Sequence, residues 1–181
     1  MKVKTAESFK DLEKQIRKHV HEAVEDTMQV EVFNIVREVV LDRIQRDVYD
    51  VYTPQRYIRR SDGNPDGGGQ GLGDRNNIVF QLEGRATNKK GKTLVVWNIA
   101  KYNPRNNPHQ AFSTAKRKDN ILQQLIIDGW SNADADAPVW QQPRPFIERA
   151  NEALKPGGEH RQSLEEAFET GLERHGITKK S

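Results

Sequence analysis

Asp62-Gly63-Asn64-Pro65-Asp66-Gly67 places side-chain oxygens at the first, third and fifth positions and a glycine at the sixth. That is how an EF-hand calcium loop opens. The twelfth position should then supply a bidentate Glu, and it is Gly73. Pro65 also interrupts the loop. The same residues are ordinary turn formers, and no bound metal is expected. Gly67 to Gly73 contains five glycines and invites a phosphate-loop reading. A Walker loop needs Lys and then Ser/Thr after its last glycine, whereas Asp74 follows here and would repel phosphate. A dinucleotide fingerprint needs a strand before it and a helix after it; here a strand follows. The expectation is a tether, with no cofactor.

Nuclease chemistry needs carboxylates on adjacent strands to hold metal ions against a phosphate. Glu83 is the only acid on the two candidate strands; the second offers Asn98, and Lys101 beyond it. His19 and His21 are two apart and point to different sides of a helix. His109, His160 and His175 are scattered, and His175 beside Gly176 suits the C-terminal end of a helix dipole. The residue types therefore point away from an enzyme. One cluster remains. Tyr49, Tyr52 and Tyr57 interleave with Arg56, Arg59 and Arg60. Aromatics among arginines stack bases and hold phosphates, and the same types dominate protein–protein hot spots. Net charge is only +3, from 29 Lys+Arg against 26 Asp+Glu, and most of these charges interleave. That balance favours a protein interface over a basic nucleic-acid stripe.

The elements that must position these residues follow from periodicity. From Ser8, an N-cap with Asp11 three residues on, apolar residues recur every three or four positions as far as Val48, with no Gly or Pro between. One helix of that length would span ~60 Å, too long for a single domain of this size, so it either breaks near Thr27–Glu31 or projects. The β-branched second half belongs to the domain; the charged first half reaches a neighbouring chain. Pro54 ends the helix, and 61–77 reads as a long Gly-rich loop. Ile78–Glu83 alternates as a strand, Asn88-Lys89-Lys90-Gly91 reads as a hairpin turn, and Thr93–Ile99 is a second, more fully buried strand. Asp119 opens a helix through Ile126 that Gly129 stops. Pro145 suits the first turn of a helix through Leu154, and Pro156-Gly157-Gly158 ends it. Ser163 and Glu166 form a capping box for a last helix that Gly176 closes. The fold class is α+β: a long N-terminal helix, a small antiparallel sheet and C-terminal helices. The expected organisation is an arm over 1–30, one domain over 31–177 and a frayed tail over 178–181.

Over its 181 residues the chain is 34% hydrophobic and 30% charged, with a mean hydropathy of −0.89. It fills a modest core. No apolar run reaches the ~20 residues of a membrane helix, and no apolar stretch near Met1 reads as a secretory leader. Cysteine is absent, which excludes disulfides and thiolate metal sites.

The helix end Asp47-Val48-Tyr49-Asp50-Val51-Tyr52-Thr53-Pro54-x-x-Tyr57-x-Arg59-Arg60 is followed by Gly71-Leu72-Gly73-Asp74-x-x-Asn77-Ile78. Leu125-Ile126-Ile127-Asp128-Gly129-Trp130 and Pro143-Arg144-Pro145-Phe146-Ile147-Glu148 come next. In this order the motifs resemble the small morphogenesis proteins of long-tailed phages, the head–tail joining or tail-completion (minor tail component) class. The resemblance implies a structural α+β subunit, without enzyme activity, made in the host cytoplasm and residing in the virion neck. It implies a homo-oligomeric ring, hexamer or dodecamer, between head components (portal, adaptor or stopper) and tail proteins. Double-stranded DNA would pass through without sequence specificity, and no membrane would be involved. Ring contacts are heterologous. Tyr49, Tyr52, Tyr57, Arg59 and Arg60 are expected to form one patch. Trp130, Trp140, Arg144 and Phe146 are expected to form a second, or the edge of the core. Asp62, Asp66 and Asp74 are candidates to face the channel. The alternative readings are a nucleic-acid-binding accessory protein using residues 49–60, and a coiled-coil adaptor built on residues 8–48.

Overall fold

The Ser8 hydroxyl starts the first helix. Its oxygen accepts the Asp11 N–H at 3.2 Å, and it donates to the Asp11 carboxylate at 2.9 Å. In the computed structural model, which describes residues 8–51, 71–84, 91–100, 126–128 and 143–178, the fold is α+β. The helix runs without a break through α1 (Phe9–Thr27), a π turn (Met28–Val32), α2 (Phe33–Ile44) and a second π turn (Gln45–Tyr49). In each π turn a hydrogen bond reaches five residues back, from Phe33 to Met28 and from Asp50 to Gln45.

The first π turn falls where a break is expected, and it re-phases the helix instead. A regular α-helix repeats its face after eleven residues, so the face that buries Thr27 would return at Glu38, which is exposed. One extra residue in the turn brings Val39 there, and Val39 is buried. The rod thus buries Ala23 and Thr27 in its first half, and Phe33, Val39, Val40, Ile44 and Val48 in its second.

The second set is the floor of the core. Leu72, Ile78, Ala100, Ile126, Phe146, Ala150 and Ala153 close over it. The described sheet is a two-stranded antiparallel hairpin of β1 (Ile78–Gly84) and β2 (Lys92–Asn98), in register Ile78↔Asn98 through Gly84↔Lys92. Ile78, Phe80 and Leu82 share a face with Asn98, Val96 and Leu94. Phe80 packs on Phe33 with ring centroids 4.4 Å apart. β2 is the more covered strand, as expected: only Thr93 is exposed, against Gln81, Glu83 and Gly84 of β1. Leu94 to Trp97 are half-buried and Asn98 is fully enclosed. The expected hairpin turn falls outside the described residues apart from Gly91, as does the helix from Asp119 apart from its helical end at 126–128.

Two helices complete the body: α3 (Phe146–Leu154) and α4 (Arg161–Arg174). Pro145 is the N-cap of α3 rather than a residue of its first turn. Gly157, at φ 83°, makes the left-handed turn that ends the connection out of α3. α4 opens at His160, which makes no side-chain cap; Ser163 lies inside its first turn and does not cap it. At its other end Gly176, at φ 76°, completes a Schellman motif: the Ile177 N–H reaches the Leu172 carbonyl at 3.0 Å and the Gly176 N–H reaches Glu173 at 2.8 Å.

Candidate functional site

Three places gather the residues singled out above. The first is the junction where chain returns to the body at Gly71. Tyr49 ends the rod half-buried, and its hydroxyl accepts the Gly73 N–H at 2.8 Å. A Cβ on Gly73 would lie 2.8 Å from the Tyr49 ring, so only glycine fits beneath it. Leu72 is buried in the core, and its carbonyl accepts the Asn98 side-chain amide at 2.6 Å. The Asn98 side-chain oxygen accepts the Ala100 N–H at 2.7 Å. The Asn77 side chain donates to the Gly71 carbonyl at 2.8 Å, and its backbone carbonyl accepts the Ile99 N–H at 2.8 Å. Asp74 caps the short helical turn Arg75–Asn77 by accepting the Asn76 N–H at 2.9 Å, and Arg75 pairs with Glu38 on α2.

Two expectations are corrected here. Asp74 is only 6% exposed and caps a turn, so its carboxylate is not free to line a channel. Phe146 is 0% exposed at the centre of the core; with no surface to offer, it is no interface residue and takes the core role. Arg144 is half-buried beside it, its backbone N–H bonded to the Ile126 carbonyl at 3.0 Å. Tyr49 is a clamp on Gly73, with its ring against the core. Tyr52, Tyr57, Arg59, Arg60, Trp130, Trp140, Asp62 and Asp66 lie outside the described residues.

The second place is the underside of the rod. The Asp47 carboxylate, nearly buried in the second π turn, meets the Arg149 guanidinium of α3 at 2.5 Å. This pair locks the end of the rod to α3. No local pattern signals it, because its partners are a hundred residues apart in sequence.

The third place is where α4 crosses α1. A Cβ on Gly171 would lie 2.3 Å from the Thr27 methyl, so the two helices meet at a glycine. Arg174 pairs with Asp26, and with Glu31 at 3.0 Å. His175 Nε2 lies 2.8 Å from the same Asp26 carboxylate, and His19 Nε2 lies 3.1 Å from the His175 carbonyl. The His175 hydrogen bond, with that of Arg174, holds the Asp26 carboxyl below its ordinary value. At the preceding residue, the Lys92 ammonium bonds Glu25 at 2.5 Å and holds its carboxyl down as well. His175 therefore does more than complement a dipole. It joins a clamp that includes His19, a residue the sequence offered only as a lone histidine. The sequence signal that was available is Gly171, since glycine in the middle of a helix is unfavourable unless packing requires it.

N-terminal to this clamp, α1 leaves the body. Residues 8–18 are exposed all round, and coverage begins at His19, within the 1–30 segment expected to form an arm. Phe9 is 81% exposed and Ile16 54%, with Leu12 and Val20 also exposed on the same stripe. Among the described residues no group of His, Asp and Glu could hold a metal ion, and no described helix is long and apolar enough to cross a membrane.

Residues 8–174 match the family model described as YomN. No curated protein and no solved structure matches the chain.

Proposed function

This chain belongs to the YomN family, a phage-derived family named for a protein of a Bacillus prophage, and from that premise we propose that it is a structural subunit of the phage neck. In this reading it is not an enzyme. It is a ring subunit, hexameric or dodecameric, that joins the head to the tail as a tail-completion or terminator component, with DNA passing through. The observation that carries the reading is the apolar stripe left exposed on α1. A small, highly charged protein gains nothing in water from Phe9 and Ile16 held out on a projecting helix, whereas an assembly subunit uses such a face. The clamps at Gly73 and Gly171 support it, since they are structural features of a rigid building block.

The test is a phage or inducible prophage carrying this gene with an early stop. Electron microscopy should show filled heads and finished tails left unjoined, and the protein supplied in trans should restore joined particles bearing it at the junction. Normal infectious particles from the stop variant would overturn the reading. A second test concerns the rod end. Tyr52→Ala with Tyr57→Ala should give a folded protein with an unchanged helical signal that fails to restore joining; full restoration would remove that patch from the account.

A further inference from the structure

The stripe on the arm is the uncovered continuation of one that α4 already covers. Phe9, Leu12, Ile16, Val20, Ala23 and Thr27 follow one another at intervals of three and four, so they line one side of α1. Ala23 and Thr27 are buried where Gly171 comes in. α4 runs antiparallel to α1, from Gly171 beside Thr27 to the His175 carbonyl beside His19, and its Schellman turn stops it there. Phe9 to Val20, about 16 Å of helix at 1.5 Å per residue, is left open.

We propose that in the free protein the same stripe of a second copy closes it, the two arms lying antiparallel. Three observations select that occupant. Among the described residues the exposed large hydrophobics are Phe9, Leu12, Ile16, Val20, Val30 and Val51; there the first four alone form a strip, and a second copy offers that strip an apolar face of equal length. Direction follows from α4. In a parallel pair both copies of α4 would lie on the facing sides, each about 10 Å thick, and would hold the arms apart. An antiparallel pair sends the two bodies to opposite ends, and each arm tip takes up the line that α4 leaves at His175. Charge agrees. With Phe9 set against Val20 of the second copy and Leu12 against its Ile16, the Glu13–Arg17 pair that each arm makes along one edge at 2.7 Å meets the same pair of the second copy, Glu13 toward its Arg17. Lys14, and Lys18 with its partner Glu22, point away from the seam.

Four side chains from each copy bury less than the roughly 1,200 Å² of a standard stable interface. The pair is therefore weak and concentration-dependent. It can give way when the arm finds a larger seat. The inference does not rest on the neck reading, because it is read on purified protein without any particle.

The cysteine-free chain suits a cross-linking test on the full-length protein. Under mild oxidation a mixture of Phe9→Cys and Val20→Cys should form a disulfide-linked dimer. Phe9→Cys alone should not, and Lys14→Cys should stay unlinked in any mixture. Sedimentation of the unaltered protein should show monomer passing to dimer as concentration rises. Leu12→Glu with Ile16→Glu should raise the dissociation constant more than tenfold with the same circular dichroism. The proposal is overturned by a protein that stays monomeric and unlinked throughout. It is equally overturned by Phe9→Cys linking to itself in preference to Val20→Cys, or by a dimer that survives the double Glu variant.

Discussion

Among the described residues Gly73 and Gly171 are contact points between distant elements, and neither is needed for an unusual backbone angle. Gly73 lies under the Tyr49 ring and Gly171 lies against Thr27. Gly171→Ala would drive its new methyl into a fully buried threonine on a rigid helix, and we expect a loss of about 1–3 kcal/mol in chemical denaturation, in the usual range for overpacking. Thr27→Ala in the same chain should recover much of that loss, because it removes the opposing methyl. A double-mutant cycle showing strict additivity would refute the contact. Tyr49→Phe keeps the ring over Gly73 and removes the acceptor of the Gly73 N–H. It should cost about 1 kcal/mol, the net value of one hydrogen bond. Gly73, Leu72, Asp74, Asn77 and Ile78 stand together in the sequence as a motif, and each has a separate structural job: close approach, core, cap, strut and core. From the sequence alone Gly73 reads as a loop former and Gly171 as a glycine inside a helix. Their close approach could not be read there, because Tyr49 and Thr27 are far from them in the chain.

At the scale of elements, the rod shows how local order and packing divide the work. The Ser8 cap, the helical spacing and the lack of Gly or Pro foretell helix from Ser8 to Val48 and leave open a break near Thr27–Glu31; the structure makes it continuous from Phe9 to Tyr49. The same spacing hides the π turn at Met28–Val32, because three-and-four intervals carry on through it. Deleting Gln29 should restore regular hydrogen bonding and turn α2 by roughly 100° relative to α1. The rod cannot then present Thr27 to α4 and Val39 to the core together, so we expect a fall in melting temperature with helical content largely retained below it. The α1–α4 clamp also carries a pH dependence. Asp26 and Glu25 are held below their ordinary values of 3.8 and 4.5 by His175 with Arg174 and by Lys92. A carboxylate depressed in the fold lends stability above its unfolded value and withdraws it as pH falls through the folded one. The protection factors of the α4 amides, corrected for the intrinsic pH dependence of exchange, should therefore fall below about pH 4.5. Asp26→Asn should exchange faster at neutral pH and show a flatter acid response. An identical acid profile in the variant would refute the clamp.

Among the described residues one core is built on the second half of a long helix, and residues 8–18 of its first half stand clear. Removing residues 1–18 deletes only exposed side chains among those described, so the melting temperature of the remainder should barely change, in keeping with surface alterations worth about 0.5 kcal/mol or less. A large loss would mean that the arm is part of the fold. The α+β class, the rod, the hairpin and the helices ending at Gly157 and Gly176 are determined by the sequence alone, because caps, turn residues and periodicity act over a few neighbouring residues. Only the tertiary structure decides which side of the rod is core, that Phe146 is enclosed, that Asp74 is spent on a cap, and that Asp47 meets Arg149 and Asp26 meets Arg174 and His175. The Asp74 cap is local, on Asn76 two residues on; the other outcomes depend on residues brought together from distant parts of the chain, where spacing along the chain carries no information about distance in space.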